Sequence, residues 1–503
     1  MPRTPLANSL QAIAARAQLS RREFLAAGGA ATIAAATWTP RARAAGGPRV
    51  VVVGAGLAGL TCAYRLRRAG IDATVYEAAD RIGGRAWTVR GAFGPGLVAE
   101  HGGELIDTGH VAIRQLCQEL RLELDDLLQA ERNGTEALYH FDGVPYTVAE
   151  AERDYNGVYQ KLHRDVAEAS YPTTYLTSTP RGRELDNMSI VDWIEESVPG
   201  GMRSRFGQLL DVIYTIEFGR ESSDQSALNL LYLLGYSGQG QLRLLGPSNE
   251  KYHVRGGNDQ ITDALARPLL ADDQIQLGNQ LVAISRRADG TYALGVKTGN
   301  TTRTMIADRV VLTLPFTLMR TSVDWSQAGF DAVKSRAIRE LGMGTNSKLH
   351  VGFKSRFWEG LGCNGDTYSD RGYQNSWDVS RAQPRPTGVL VDYTGGKIGD
   401  SFASGTPTQR ARQFLDQIEP VLPGAKKNWD GSATVDHWPS YKWTLGSYSF
   451  YRVGQYQAFG GAESEISGAC HFAGEHTTQD YQGYLNGAVF TGARAAAEVL
   501  DAL

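Results

Sequence analysis

The chain has 503 residues, a formal charge of −3 and a mean hydropathy of −0.30. Residues 1–44 hold six Arg and one Glu, a charge of +5, so the remaining 459 residues carry about −8, which argues against nucleic acid as a partner. Four scattered cysteines lack metal-ligand spacing, and nine histidines include no H-E-x-x-H pair, so no metal is expected.

The first predicted element is a targeting segment. Ser20-Arg21-Arg22-Glu23-Phe24-Leu25 looks like a twin-arginine export signal, Leu25 to Trp38 is Ala-rich and weakly apolar, and Ala42-Arg43-Ala44 fits a small-residue cleavage site. The stretch is too short to span a bilayer, and no other apolar run approaches about 18 residues. The expectation is a signal peptide over 1–44, export by the bacterial twin-arginine machinery, and a periplasmic or secreted protein.

Val50 to Val53 is a continuous β-branched run, as in a buried parallel strand. Gly54, Gly56 and Gly59 form G-x-G-x-x-G directly after it. Leu57 to Ala69 has helical apolar spacing and ends at Gly70. Ala73 to Tyr76 is a second strand, closed by Glu77, which lies 18 residues after Gly59. Glycines let the backbone turn and approach a pyrophosphate at a helix N-terminus, while the terminal acid accepts hydrogen bonds from a ribose 2′-OH and disfavours a 2′-phosphate. Arg81, Gly83, Gly84 and Arg85 then give R-x-G-G-R, which brings N–H groups and a guanidinium to a second set of phosphates. The alternative is a Gly-rich turn in some other α/β protein.

Further along, Gly102-Gly103-Glu104-Leu105-Ile106-Asp107 precedes a mostly helical region, with helices read over Ile190 to Glu196 and Arg203 to Tyr236. Tyr252-His253-Val254-Arg255-Gly256-Gly257 begins a return to the nucleotide domain, with strands over Gln274 to Ile284 and Arg309 to Leu314. Lys348 to Phe353 and Val389 to Tyr393 read as strands of a second region. In the first of these, Leu349, Val351 and Phe353 share one face, so Lys348 and His350 point to the other. Phe472-Ala473-Gly474-Glu475, then Tyr481, Gly483, Tyr484, Gly487 and Ala488, precede an Ala-rich terminal helix.

Three of these separated segments, in this order, resemble the signatures of the flavin amine oxidase family, which includes monoamine, polyamine and L-amino-acid oxidases. The resemblance covers nearly the whole chain after residue 45. It implies an α/β fold with mixed α+β content. A discontinuous Rossmann-like FAD-binding domain would comprise 46–105, 252–315 and 454–503, and a substrate domain would comprise a helical insertion, 106–251, and a sheet-containing part, 316–453. It implies that FAD is held by Gly54, Gly56, Gly59, Glu77, Arg85, Gly103, Glu104, Val282 (through its backbone), Gly474, Glu475 and Tyr484. Lys348 would bind water beside the flavin, and Tyr448 and Tyr484 would face each other across the substrate amine. Ser447 stands where covalently flavinylated relatives carry cysteine, so FAD should be noncovalent.

For selectivity, Asp107 and Glu217 fall where polyamine oxidases place acids for a distal amine, and Trp443, Arg243 or Lys442 are candidate partners for an α-carboxylate. Leu105 stands where venom-type amino-acid oxidases keep an arginine. The run Glu-Leu-Ile-Asp-Thr-Gly-His resembles exported bacterial oxidases of basic amino acids. The expectation is therefore oxidative deamination of a basic L-amino acid by O2, giving an imine, then an oxo product and H2O2. A polyamine or monoamine oxidase is the alternative, followed by a flavin dehydrogenase with a protein acceptor. A carotenoid desaturase, which needs a long apolar channel, fits less well. A homodimer is left open.

Overall fold

The structure is a computed structural model and describes residues 47–503. The expected signal peptide, residues 1–44, lies outside the described residues. The first layer is a five-stranded parallel sheet in the order Cys470–Phe472, Arg309–Leu312, Val50–Val53, Ala73–Tyr76, Ile275–Gln276. Val50–Val53 is its centre and is buried on both faces, which is why it reads as an uninterrupted valine run. Segments from three distant parts of the chain thus build one sheet.

Helix Leu57–Arg68 follows the central strand through a tight turn. Gly54 has φ +106°, a left-handed conformation that glycine adopts at little cost. A Cβ on Gly59 would lie 2.0 Å from the Gly54 carbonyl oxygen, so the helix touches the turn there. The terminal helix Leu485–Asp501 packs across this helix with similar intimacy, since a Cβ on Gly492 would lie 2.3 Å from the Ala58 carbonyl oxygen.

The second layer is a seven-stranded mixed sheet: Trp429–His437, Ser347–Phe353, Gly388–Thr394, Asn375–Asp378, Cys363–Ser369, Glu136–Phe141, Val144–Tyr146. Its last two strands come from the region expected to be mostly helical. That region also holds helices Val148–Ala169, Ile190–Ser197, Arg205–Phe218 and Ala227–Leu234. The single long helix expected over Arg203 to Tyr236 is two helices. Gly219, at φ +69°, ends the first, and Ser226 caps the second by accepting from the Leu228 N–H. The strand expected over Gln274 to Ile284 likewise divides. Ile275–Gln276 joins the parallel sheet, Gly278 turns at φ +68°, and Asn279–Arg286 enters a separate four-stranded sheet.

None of the described helices is long and apolar enough to cross a membrane. Gly59→Ala should lower the unfolding free energy by about 1–3 kcal/mol, because the methyl must displace the Gly54 carbonyl. Denaturant unfolding checks this, and an unchanged midpoint would show that the turn yields freely.

Candidate active site

A cavity with about 1800 Å³ of empty space, its mouth included, runs between the two layers. At one end it is walled by the glycine turn and Glu77. Helix Leu57–Arg68 starts at Gly56 without a side-chain cap, leaving first-turn N–H groups for another acceptor. A Cβ at Gly56 would meet nothing within 4 Å, so this backbone faces open space. Glu77 is held beside it by the N–H groups of Ala55 (2.7 Å) and Ala79 (2.8 Å).

The loop after Glu77 is locked to the C-terminal motif. Arg85 Nη1 donates to Glu475 Oε1 (2.8 Å) and to the Ser447 carbonyl (2.7 Å). Glu475 also accepts from the Ser449 hydroxyl (2.8 Å) and the Gly483 N–H (3.0 Å). Burial opposes its ionisation, but Arg85 and these donors outweigh burial, and its carboxyl sits below the usual range. Arg81 is spent on the Gly84 carbonyl and the Tyr441 hydroxyl, with its guanidinium 4.0 Å from the Trp87 ring centroid. This set suits FAD: exposed backbone donors beside a glycine turn, a carboxylate at the end of the second strand, and a rigid second loop.

The other end is aromatic and acidic. Lys348 Nζ donates to Glu104 Oε2 (2.7 Å) and the Glu100 carbonyl (3.2 Å), and the Trp377 indole N–H donates to Glu104 Oε1 (2.9 Å). Burial pushes the Glu104 carboxyl up, yet Lys348 and Trp377 more than offset that and hold it below its ordinary value. Strand register sets Tyr393 opposite Lys348. The Tyr448 and Tyr393 hydroxyls are 2.7 Å apart, and Tyr448 donates to the Ile216 carbonyl (2.9 Å). The Tyr484 hydroxyl donates to Glu217 Oε1 (2.9 Å). Burial pushes the Glu217 carboxyl up to about 7, against the opposing pull of Tyr484. Gly483 leaves room for the Tyr448 ring, whose Cδ2 would lie 3.2 Å from a Cβ there.

The residues read from sequence therefore converge. Gly54, Gly56, Glu77, Arg85, Gly103, Glu104, Glu217, Lys348, Trp443, Tyr448, Gly474, Glu475 and Tyr484 all line this cavity. Three expected residues do not. Gly59 packs beneath the turn. Val282 is the extra residue of a bulge in strand Asn279–Arg286, without a ladder partner in the adjacent strand Tyr292–Thr298, and lies outside the lining. Asp107 is the substantive correction. It lies outside the lining, and its carboxylate is taken by protein partners: Oδ1 accepts from the Ser248 hydroxyl (2.8 Å) and the N–H groups of Asn249 (3.1 Å) and Glu250 (2.7 Å), while Oδ2 meets His110 Nε2 at 3.1 Å.

Sequence reasoning missed Glu250, Tyr393, Trp377 and Gln482, which also line the cavity. Strand alternation alone marks the face of Tyr393, but only the register brings it to Lys348. Ser447 Oγ donates to Asn346 Oδ1 (2.6 Å), and the described lining contains no cysteine or histidine. Arg243 is exposed and outside the lining, and the Lys442 ammonium sits 4.5 Å from the Trp443 ring centroid.

Comparison with known proteins agrees with this layout. The model of the family described as flavin containing amine oxidoreductase matches residues 57–500. A protein of Mycobacterium tuberculosis named as a flavin-containing monoamine oxidase is 28% identical over 90% of this chain and 96% of its own. Polyamine oxidase 7 of Oryza sativa is 25% identical over 89% of this chain and 94% of its own. A solved putrescine oxidase with putrescine bound has the same fold, with a TM-score of 0.76 at 22% identity over 90% of this chain and 99% of that one.

Proposed function

The chain belongs to the flavin-containing amine oxidoreductases, with FAD as cofactor, and on that footing we propose that it oxidises an amine whose far end carries a second positive charge, with O2 as the electron acceptor. The observation that carries this reading is Glu217, a carboxyl inside the aromatic end of the cavity and bonded to Tyr484. Above pH about 7 it is an anion in a partly desolvated site, which attracts an ammonium or guanidinium.

A diamine or polyamine suits the cavity better than a basic L-amino acid. An α-carboxylate needs a free cation, and each cationic side chain of the described lining is engaged: Lys348 with Glu104, Arg85 with Glu475, and Arg81 with Gly84 and Tyr441. The amino-acid reading stays second. It draws on Gln482, whose buried Nε2 has no partner and is a donor in the same wall.

FAD, when bound, supplies the acceptor for the two electrons that leave the substrate's α C–H bond. The side chains supply position and electrostatics. Tyr448 and Tyr484 wall the reacting nitrogen, and their tethered hydroxyls keep the rings from swinging. Lys348 spends two of its three N–H donors on Glu104 and Glu100, leaving one for a water in the cavity. A water held there would be available to hydrolyse an imine product.

With no cysteine or histidine in the described lining, FAD should be noncovalent. Acid precipitation should release the flavin to the supernatant, and flavin in the pellet would refute the claim. Lys348→Met should retain FAD but slow turnover tenfold to a thousandfold, about 1.4–4 kcal/mol of barrier. Unchanged stopped-flow rates for both half-reactions would remove Lys348 from catalysis.

The substrate reading is tested by the ratio of kcat/KM for 1,4-diaminobutane to that for butylamine. Glu217 is neutral below pH about 7 and charged above it, so this ratio should rise as pH increases through that value. Both substrates need the same deprotonated reacting amine, so that requirement cancels in the ratio. Glu217→Gln should remove the part of the rise centred near pH 7 and lower the ratio at pH 8 by about ten- to a hundredfold. A ratio insensitive to both pH and this substitution would point to a neutral-tailed amine.

A further inference from the structure

Five carboxylates line the cavity: Glu77, Glu104, Glu217, Glu250 and Glu475. Four have a protein partner. Glu77 takes two backbone N–H groups, Glu104 takes Lys348 and Trp377, Glu217 takes Tyr484, and Glu475 takes Arg85. The Glu250 carboxylate has no hydrogen bond or ion pair among the described residues. A carboxylate in the cavity wall without a protein partner is free to meet a ligand.

Two further observations show that its placement is built. Glu250 has φ +48°, a left-handed conformation unusual for a side-chain-bearing residue and one that needs support from its surroundings. That support is visible: Asp107 Oδ1 accepts the Glu250 N–H at 2.7 Å, together with the Asn249 N–H and the Ser248 hydroxyl. Asp107 is itself 5% exposed and fixed from behind by His110. Glu250 also belongs to the reacting end of the cavity. After burial, the charges of Glu217, Asp107 and Glu250 raise the Tyr484 hydroxyl, and those of Glu217 and Glu250 raise that of Tyr393. Burial, then Asp366 and Asp107, push the Glu250 carboxyl up to about 8, so a bound cation would favour its ionised form.

We infer that Glu250 is a specificity-determining residue that forms a second carboxylate contact to the cationic tail of the substrate, and that Asp107 is the positioning residue that holds it there. The inference rests on the cationic-tail reading of the cavity and refines it: the tail is met by two acids on different elements, Glu217 from helix Arg205–Phe218 and Glu250 from the loop before strand Tyr252–Val254. Such a pair can seat one ammonium of a diamine between two acids, or meet two cations of a longer polyamine. Asp107 enters as the support of an acid, not as the acid that touches the amine.

The test uses the FAD-loaded enzyme and four variants: Glu250→Gln, Glu250→Gly, Asp107→Asn and the Asp107→Asn/Glu250→Gln double variant. Gly is included because it accepts the left-handed backbone without support. FAD content and melting temperature establish that each variant is folded. Glu250→Gln and Glu250→Gly should each lower the 1,4-diaminobutane to butylamine ratio of kcat/KM about tenfold or more. The loss should appear in KM for the diamine rather than in its kcat. Asp107→Asn should reproduce part of this KM effect, and the double variant should be no worse than Glu250→Gln alone.

If Glu217→Gln lowers the ratio while both Glu250 variants leave it intact, the second contact is wrong and the cationic-tail reading stands. If Glu217→Gln leaves the ratio unchanged as well, the parent reading fails with it. Additive losses in the double variant, or a fall in butylamine kcat with Asp107→Asn, would overturn the positioning role.

Discussion

The contact on which the rest depends is the ion pair between Arg85 and Glu475, 390 residues apart in sequence. It fastens the loop after the second strand to the segment before the last helix, so the two nucleotide-facing motifs form one wall. Glu475 then extends the constraint. By accepting from Ser449 and Gly483, it fixes the strands of chain that carry Tyr448 and Tyr484. The acid is nearly inaccessible, so removing its partner would strand a buried charge at a cost of roughly 3 kcal/mol or more. One pair thus links cofactor cradle and aromatic cage, and a disturbance in either is felt in the other.

The cavity's electrostatics follow from which charges are spent. At the glycine turn, backbone N–H groups face open space and invite anions. At the aromatic end, Glu104 is neutralised by Lys348, while Glu217 and Glu250 are not matched by any cation of the described lining. The gradient from donors to acids along one cavity suits a dinucleotide at one end and, in the function proposed, a cation at the other. Burial magnifies both preferences, because little water is left to screen them.

Asp107 and Glu250 show where reading from sequence is misled. An acid in the Gly102 to Asp107 run is at the right place in the chain to face a substrate, but its oxygens find three donors in the loop Ser248 to Glu250 and turn to them. A short Asp side chain satisfied by backbone is buried structure, and the charge it supports appears 143 residues later, in a loop whose own composition signals only a turn. Likewise Glu136–Phe141 and Val144–Tyr146 lie in a region with strong helical periodicity, and only their pairing with strand Cys363–Ser369 makes them part of the sheet.

By itself, the sequence determined whatever depends on neighbours in the chain: the buried strand Val50–Val53, the glycine turn and its helix, Glu77 at the end of the next strand, and the alternation that separates Lys348 from Leu349. These are set by local sterics and periodicity, which a few residues express completely. Tertiary structure alone decided what depends on pairing across long loops: the register that brings Tyr393 to Lys348, the bulge that leaves Val282 without a ladder partner, the breaks at Gly219 and Gly278, and the hydrogen bonds that tie Asp107 to the loop carrying Glu250. A carboxylate's function is fixed by which donors reach it first, and those donors are assembled only when the distant segments meet.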